Sequence, residues 1–144
     1  MRLLPLSAWL LAAAALAGEG IQLDPFAQAT AGYGSCPPVH AHVYTTEEAG
    51  TAAHARSERG TRCAMEGTCE PGGAYRRDPE INETVRAAIA ADKRFADTSV
   101  WITTSRRWVT LEGCIRSKGQ RAALVKLVTA LPRVGRVFDS LRVR

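Results

Sequence analysis

The side chains of this sequence best able to take part in chemistry are its cysteines and histidines. The four cysteines are Cys36, Cys63, Cys69 and Cys114, and the three histidines are His40, His42 and His54. Thiolates and imidazoles act as nucleophiles, general bases and metal ligands. A zinc site is the weaker interpretation, because five residues separate Cys63 from Cys69, whereas roughly two to four are usual between zinc-binding cysteines. The even number of cysteines favours two disulfide bonds and leaves their pairing open.

The start of the chain indicates its destination. Arg2 precedes an almost wholly apolar run over residues 3–16, and Ala15-Leu16-Ala17 is an A-x-A cleavage pattern. Because the run is too short to span a bilayer, residues 1–17 are predicted to be a secretory signal peptide. Glycine and not cysteine stands directly after the cleavage pattern, so a lipoprotein is not expected. We expect a soluble periplasmic protein, in an oxidising compartment where cysteines form disulfides.

The sequence assembles no catalytic site. All three histidines precede residue 55, and residues 78–144 contain none. Nucleophile-elbow, P-loop and H-E-x-x-H motifs are missing from the sequence. Glu47 and Glu48 are adjacent on a predicted helix, where neighbouring side chains do not face each other as a catalytic pair would. We therefore expect no enzyme, no cofactor and no small-molecule substrate.

Charge is divided unevenly along the chain. Residues 18–75 carry 3 basic against 7 acidic side chains, whereas residues 76–144 carry 15 against 7. This division predicts an acidic arm and a basic module, each able to meet a surface of opposite charge, although a solvated surface with no partner gives the same count. Export makes nucleic acid an improbable ligand, so no nucleic-acid binding is expected.

Residues 18–77 are predicted to be an N-terminal extension. Prolines and glycines make residues 18–44 an irregular arm. Thr45 and Glu48 form a capping box, and Gly60 stands where a helix commonly ends, which predicts a helix over about 46–59. The apolar face of this helix is made of alanines, so the helix must dock on another surface. A loop with two cysteines follows.

Residues 78–144 show regular periodicity. Asp78 is a suitable helix N-cap before a helix over 79–91, and Ser117 opens a second helix that ends before Pro132. Alternating residues predict strands over 98–104, 107–115 and 136–143. The order α-β-β-α-β predicts a two-layer α+β domain, in which two helices cover one face of a three-stranded mixed sheet.

The predicted hairpin leaves one face of the sheet uncovered. A turn at Ser105-Arg106 pairs Ile102 with Val109 and places both on the helix side. The side chains then on the open side are Trp101, Trp108, Thr110, Glu112 and Cys114, with the two tryptophans as its apolar part. Because soluble proteins seldom expose such an apolar patch, we expect the extension to fold across it and bury at least one tryptophan. Every complete pairing of the cysteines also links Cys114 to the extension.

Three stretches of this segment form a recognisable pattern. They are Val100-x-Ile102, Trp108-Val109-Thr110-Leu111-Glu112-Gly113-Cys114-Ile115, and Val134-x-x-Val137-x-Asp139-x-Leu141-x-Val143. Preceded by Asp78, Ile81 and Val85, this pattern resembles the BON domain, named for bacterial osmotically induced and nodulation proteins. The second stretch is similar to the family's G-x-V-x-L-x-G-x-V run, although Arg107 stands near the position of its first glycine.

The resemblance implies a non-enzymatic periplasmic or envelope-associated module, generally regarded as binding phospholipid or protein and often linked to osmotic or envelope stress. In this chain, the basic side chains able to meet anionic headgroups lie on and after the second predicted helix. These lipid-binding candidates are Lys118, Arg121, Lys126, Arg133 and Arg136. The alternative is a protein-interaction or scaffold module that binds no lipid.

Overall fold

The structure, a computed structural model, describes residues 20–144. The predicted signal peptide over 1–17 lies outside this range. The described elements are β1 (Phe26–Ala31), α1 (Thr46–Met65), α2 (Asp78–Ala91), a short 3₁₀ helix (Lys93–Phe95), β2 (Ser99–Ser105), β3 (Trp108–Ile115), α3 (Lys118–Thr129) and β4 (Arg136–Val143). Among residues 20–144, no helix has both the length and the apolar character that a bilayer crossing requires.

The four strands form one mixed sheet in the order β1-β2-β3-β4. The first two pairs are antiparallel, and β3 and β4 are parallel, with α3 as the crossover between them. The predicted α+β class is therefore confirmed, but the predicted count of three strands is wrong. The extension supplies β1, whose Ala27 and Ala29 pack against the core. Side chains this small carry little strand preference of their own, so pairing with β2 defines this strand.

Helices α2 and α3 pack on one side of the sheet and enclose the core. Phe95 and the inward residues of the strands and helices are fully buried there. The other members of this cluster are Ile81, Val85, Ile89, Val100, Ile102, Val109, Leu111, Ile115, Leu124, Val128 and Leu141. The opposite side of the sheet is called the outer face below, and it carries the alternate residues of each strand.

The β2–β3 turn differs from its prediction. Its two central residues are Arg106 and Arg107, with φ angles of 54° and 65°. Ile102 pairs with Leu111 rather than with Val109, so the predicted register is wrong by two residues. Because side chains alternate with a period of two, this shift leaves every residue on its predicted face.

Asp78 explains how two arginines adopt this left-handed turn. Its carboxylate accepts hydrogen bonds from the backbone N–H of Arg106 at 2.8 Å and of Arg107 at 2.7 Å. Asp78 therefore fixes the turn and does not serve as the predicted helix N-cap. The N-cap residue is Arg77, which makes no capping side-chain bond. Burial raises the pKa of Asp78, and the two backbone N–H groups oppose that rise.

Helix α1 begins at the predicted capping box of Thr45 and Glu48 but continues to Met65, beyond the predicted end at residue 59. Gly60 does not end the helix. A Cβ atom at this position would lie 3.3 Å from the Cα atom of Gly73, so glycine lets the cysteine loop approach closely. Arg56 ties the helix to the arm through an ion pair with Asp24 at 2.8 Å.

Candidate functional site

All four cysteines are paired in two disulfides, as predicted. Cys36 bonds Cys114 across the sheet, with a Cα–Cα distance of 5.7 Å, and Cys63 bonds Cys69 at the end of α1, with a distance of 5.3 Å. These sulfurs are consequently not available as metal ligands. Within residues 20–144, no cluster of three or more histidine, cysteine or acidic side chains has the arrangement of a metal site.

The extension covers the half of the outer face that lies on β2 and the end of β3. Tyr33 donates its backbone N–H to the Ser99 hydroxyl at 3.0 Å, and that hydroxyl donates to the Tyr33 carbonyl at 3.1 Å. Cys114 is fully buried beneath its disulfide, and Trp101 is only 8% exposed. The expectation that the extension buries at least one tryptophan of this face is therefore confirmed for Trp101.

The other half of the outer face is bare and carries an aromatic pair. Trp108 is 36% and Phe138 is 39% exposed, and their rings meet edge to face with centroids 5.6 Å apart. The Arg106 guanidinium lies 4.0 Å from the Trp108 ring, and that of Arg136 lies 5.8 Å from both rings. We call these four residues the aromatic–arginine patch.

On the helix side of β4, a shallow groove of about 650 Å³ runs between α3 and the strand. Its lining combines basic side chains with small apolar ones. The lining residues are Lys118, Arg121, Ala122, Val125, Lys126, Thr129, Ala130 and Asp139. The structure thus brings three of the five predicted lipid-binding candidates, Lys118, Arg121 and Lys126, to one surface, which we call the α3–β4 groove.

Arg121 is committed to the fold as well as to the groove. Its Nε lies 3.5 Å from the Asp139 carboxylate, and its guanidinium donates to the carbonyl of Leu141. Asp139 in turn accepts the backbone N–H of Leu141 at 3.0 Å. Both backbone groups of this β4 residue are thus satisfied by side chains rather than by another strand.

The remaining two candidates lie elsewhere. Arg133 forms an ion pair with Glu80 of α2, and its carbonyl accepts a bond from Arg107 Nε at 2.9 Å. Its guanidinium is therefore already neutralised. Arg136 lies on the outer face, in the aromatic–arginine patch. Sequence reasoning gave no binding role to Phe138, although its alternation with Val137 on β4 places it on the same face as Trp108.

Basic side chains without an acidic partner gather around β4. Elsewhere, Arg77, Arg86 and Arg94 each form ion pairs with acidic neighbours. Several basic side chains that border β4 have no carboxylate partner among the ion pairs of residues 20–144. They are Arg106, Lys118, Lys126, Arg136 and Arg142. The border of β4 therefore presents positive charge that the described residues leave unneutralised.

A comparison with protein families matches the BON domain to residues 77–144. No curated protein matches the chain in a sequence search. BON domains are periplasmic or envelope-associated binding modules and are generally non-enzymatic. Together with the α-β-β-α-β order observed after residue 77, this match identifies the module: the chain carries a BON domain over residues 77–144, preceded by a cysteine-bearing extension.

Proposed function

We propose that this protein binds anionic phospholipid headgroups in the α3–β4 groove. The observation that carries the proposal is the position of Lys118 and Lys126, exposed and without a carboxylate partner in the described structure, beside an apolar groove lining. Ammonium groups attract phosphate oxygens, and Ala122 and Val125 offer a surface for the glycerol and the first methylenes of a lipid. The groove thus has the two-part chemistry of a phospholipid headgroup.

Electrostatics sets the strength of this binding. Each cation near an anionic membrane contributes roughly 1 kcal/mol, and salt screens that attraction. Lys118 and Lys126 contribute fully, whereas Arg121 contributes less because Asp139 already neutralises it. Binding should consequently be reversible, selective for anionic vesicles and weakened by salt.

The location of the protein belongs to the same proposal. Disulfides persist in oxidising compartments, so Cys36–Cys114 and Cys63–Cys69 support export by the signal peptide predicted over 1–17. In the periplasm, the groove would meet the anionic lipids of the envelope. We propose that the module serves envelope maintenance under osmotic or other envelope stress.

Co-sedimentation with vesicles tests the groove. Vesicles of phosphatidylcholine with phosphatidylglycerol are compared with pure phosphatidylcholine, each at low and high salt. The double variant K118Q/K126Q should lose about 2 kcal/mol, or roughly thirtyfold in affinity for the anionic vesicles. The matched control is R59Q/R62Q, which removes two exposed charges from α1 and should bind as the parent does.

Two results would overturn this proposal. The first is equal binding to neutral and anionic vesicles, or no vesicle binding at all. The second is an equal loss of affinity in the groove variant and the control. Either result would favour the alternative of a protein-interaction module that binds no lipid.

A further inference from the structure

The aromatic–arginine patch and the α3–β4 groove flank the same strand. The side chain of Asp139 on β4 lines the groove, whereas Phe138, the adjacent residue, points to the outer face. Trp108 lies on β3, one strand inward and about 5 Å away. A flat surface that touches the free edge of β4 therefore meets cations of the groove on one side and the patch on the other.

The composition of this border suits the interfacial layer of a membrane. Tryptophan and arginine are amphipathic: their apolar parts enter the headgroup region while their polar ends stay hydrated. The patch offers exposed Trp108 and Phe138 beside Arg106 and Arg136. Exposed apolar rings favour the interfacial layer over bulk water, and the unneutralised cations around them attract anionic headgroups.

Pairing of β4 with a second strand fits the structure less well. The Arg121 and Asp139 side chains already satisfy the N–H and C=O groups of Leu141, which a pairing strand would need. Antiparallel pairing of two β4 copies around Asp139 would also set Arg136 opposite Arg142 twice. Like charges directly opposite destabilise a strand pair. The edge is thus better suited to a bilayer surface than to an added strand or a second copy.

We infer that the BON domain meets the membrane edge-on along β4, with Trp108 and Phe138 entering the interfacial layer while Arg106, Arg136 and Arg142 remain with the phosphates. This inference rests on the proposed function, since it names the orientation in which the groove reaches its lipid. It assigns the bare half of the outer face to the bilayer and leaves the covered half, with Trp101, outside it.

Tryptophan fluorescence on vesicles tests this orientation. The probe is the exported protein processed after Ala17, which keeps Trp101 and Trp108 but not Trp9. It is mixed with phosphatidylcholine–phosphatidylglycerol vesicles in which part of the phosphatidylcholine carries bromine on its acyl chains as a quencher. The parent protein should shift its emission to the blue and be quenched by the bromine, and W108F should lose most of both effects. W101F is the matched control and should keep them, because Trp101 is already buried.

Affinity gives the second measurement. The double variant W108S/F138S should bind anionic vesicles roughly tenfold more weakly while keeping the salt dependence of the parent. We expect this variant to fold, since both side chains are exposed, and circular dichroism verifies that it does. Binding with parental affinity, or parental binding without bromine quenching, would overturn the edge-on orientation and leave the groove proposal intact.

Two further results would also overturn the inference. If the parent binds no anionic vesicles, the proposed function fails with it. If sedimentation velocity shows a parental dimer that W108S/F138S abolishes, the patch is an interface between copies of this chain.

Discussion

The two halves of the outer face carry one tryptophan each, and the two tryptophans differ in their exposure to solvent. Trp101 lies under the extension, next to a strand end that the Cys36–Cys114 disulfide holds closed. Trp108 lies at the turn end of the hairpin, opposite Ser105, beside Phe138 and two arginines and open to solvent. Strand β1 of the extension lies at the edge of the sheet opposite β4, so the extension covers the outer face from the β2 side. The bare half is therefore the half that the fold leaves accessible for binding.

The means of support differ as well. The covered half is held by a covalent bond between distant parts of the chain. The bare half is held by the Asp78 carboxylate, which fixes the turn that leads into Trp108. This contrast predicts different responses of the two halves to mutation, reduction and pH.

The largest expected effect is the loss of the Cys36–Cys114 disulfide. It closes a loop with a sequence separation of 78, against 6 for Cys63–Cys69. In the chain-entropy model, C36A/C114A should lose about 4.5 kcal/mol of unfolding free energy and C63A/C69A about 2.4 kcal/mol. Urea unfolding measures both, and equal losses would show that loop closure does not govern the covered half.

The two tryptophans should differ next. W101A removes a buried ring and should cost about 4 kcal/mol of unfolding free energy, whereas W108A should cost less than about 1 kcal/mol because its ring is exposed. Thermal and urea unfolding of both variants provide the comparison. A larger cost for W108A would mean that the bare half is a structural element and not a binding surface.

Much of the fold follows from the sequence because its signals are local. Alternation defines β2, β3 and β4, and the Thr45–Glu48 capping box marks the start of α1. Strand β1 could not be predicted, since Phe26–Ala31 lacks the bulky alternation of a strand and depends on its partner β2. The register of the hairpin could not be predicted for a similar reason. Asp78, far away in sequence, selects the Arg106–Arg107 turn.

The candidate site was partly predictable for the same physical reason. Lys118, Arg121 and Lys126 follow helical spacing, so their shared surface could be predicted from the sequence. Whether a basic side chain is free depends on tertiary neighbours, and Glu80 beside Arg133 and Asp139 beside Arg121 are not visible in a helical pattern. An even number of cysteines predicts two disulfides but cannot choose among their pairings.

The third prediction concerns the turn that supports the bare half. D78A leaves the backbone N–H groups of Arg106 and Arg107 without their acceptor, in a left-handed conformation that arginine adopts at a cost. We expect a loss of about 3 kcal/mol of unfolding free energy. E66A is the control and should lose less than about 0.5 kcal/mol, because Glu66 is exposed and its side chain makes no hydrogen bond or ion pair among the described residues. A loss in D78A no larger than in E66A would show that the turn forms without the Asp78 carboxylate.

The smallest expected effect is the pH dependence of this turn. Burial raises the pKa of Asp78 above its ordinary value of 3.8, so the folded protein binds this proton more tightly than the unfolded chain does. The resulting stabilisation is fully present below pH 3.8 and is lost as the pH rises through the folded-state pKa. D78N has no such group. The stability difference between the parent and D78N should therefore narrow with rising pH over that window and then become constant.

A difference measurement isolates this effect from other carboxylates. Hydrogen bonds from Thr45 lower the pKa of Glu48, and the Arg94 side chain lowers that of Asp92. These two groups therefore make the free energy of unfolding rise with pH, whereas Asp78 makes it fall. Both groups are present in the parent and in D78N, so their contributions cancel in the difference. Urea unfolding of the two proteins at several pH values provides the data. A parent–D78N difference that widens with pH would mean that the two backbone N–H groups outweigh burial, and that the charged carboxylate is the form that holds the turn beneath Trp108.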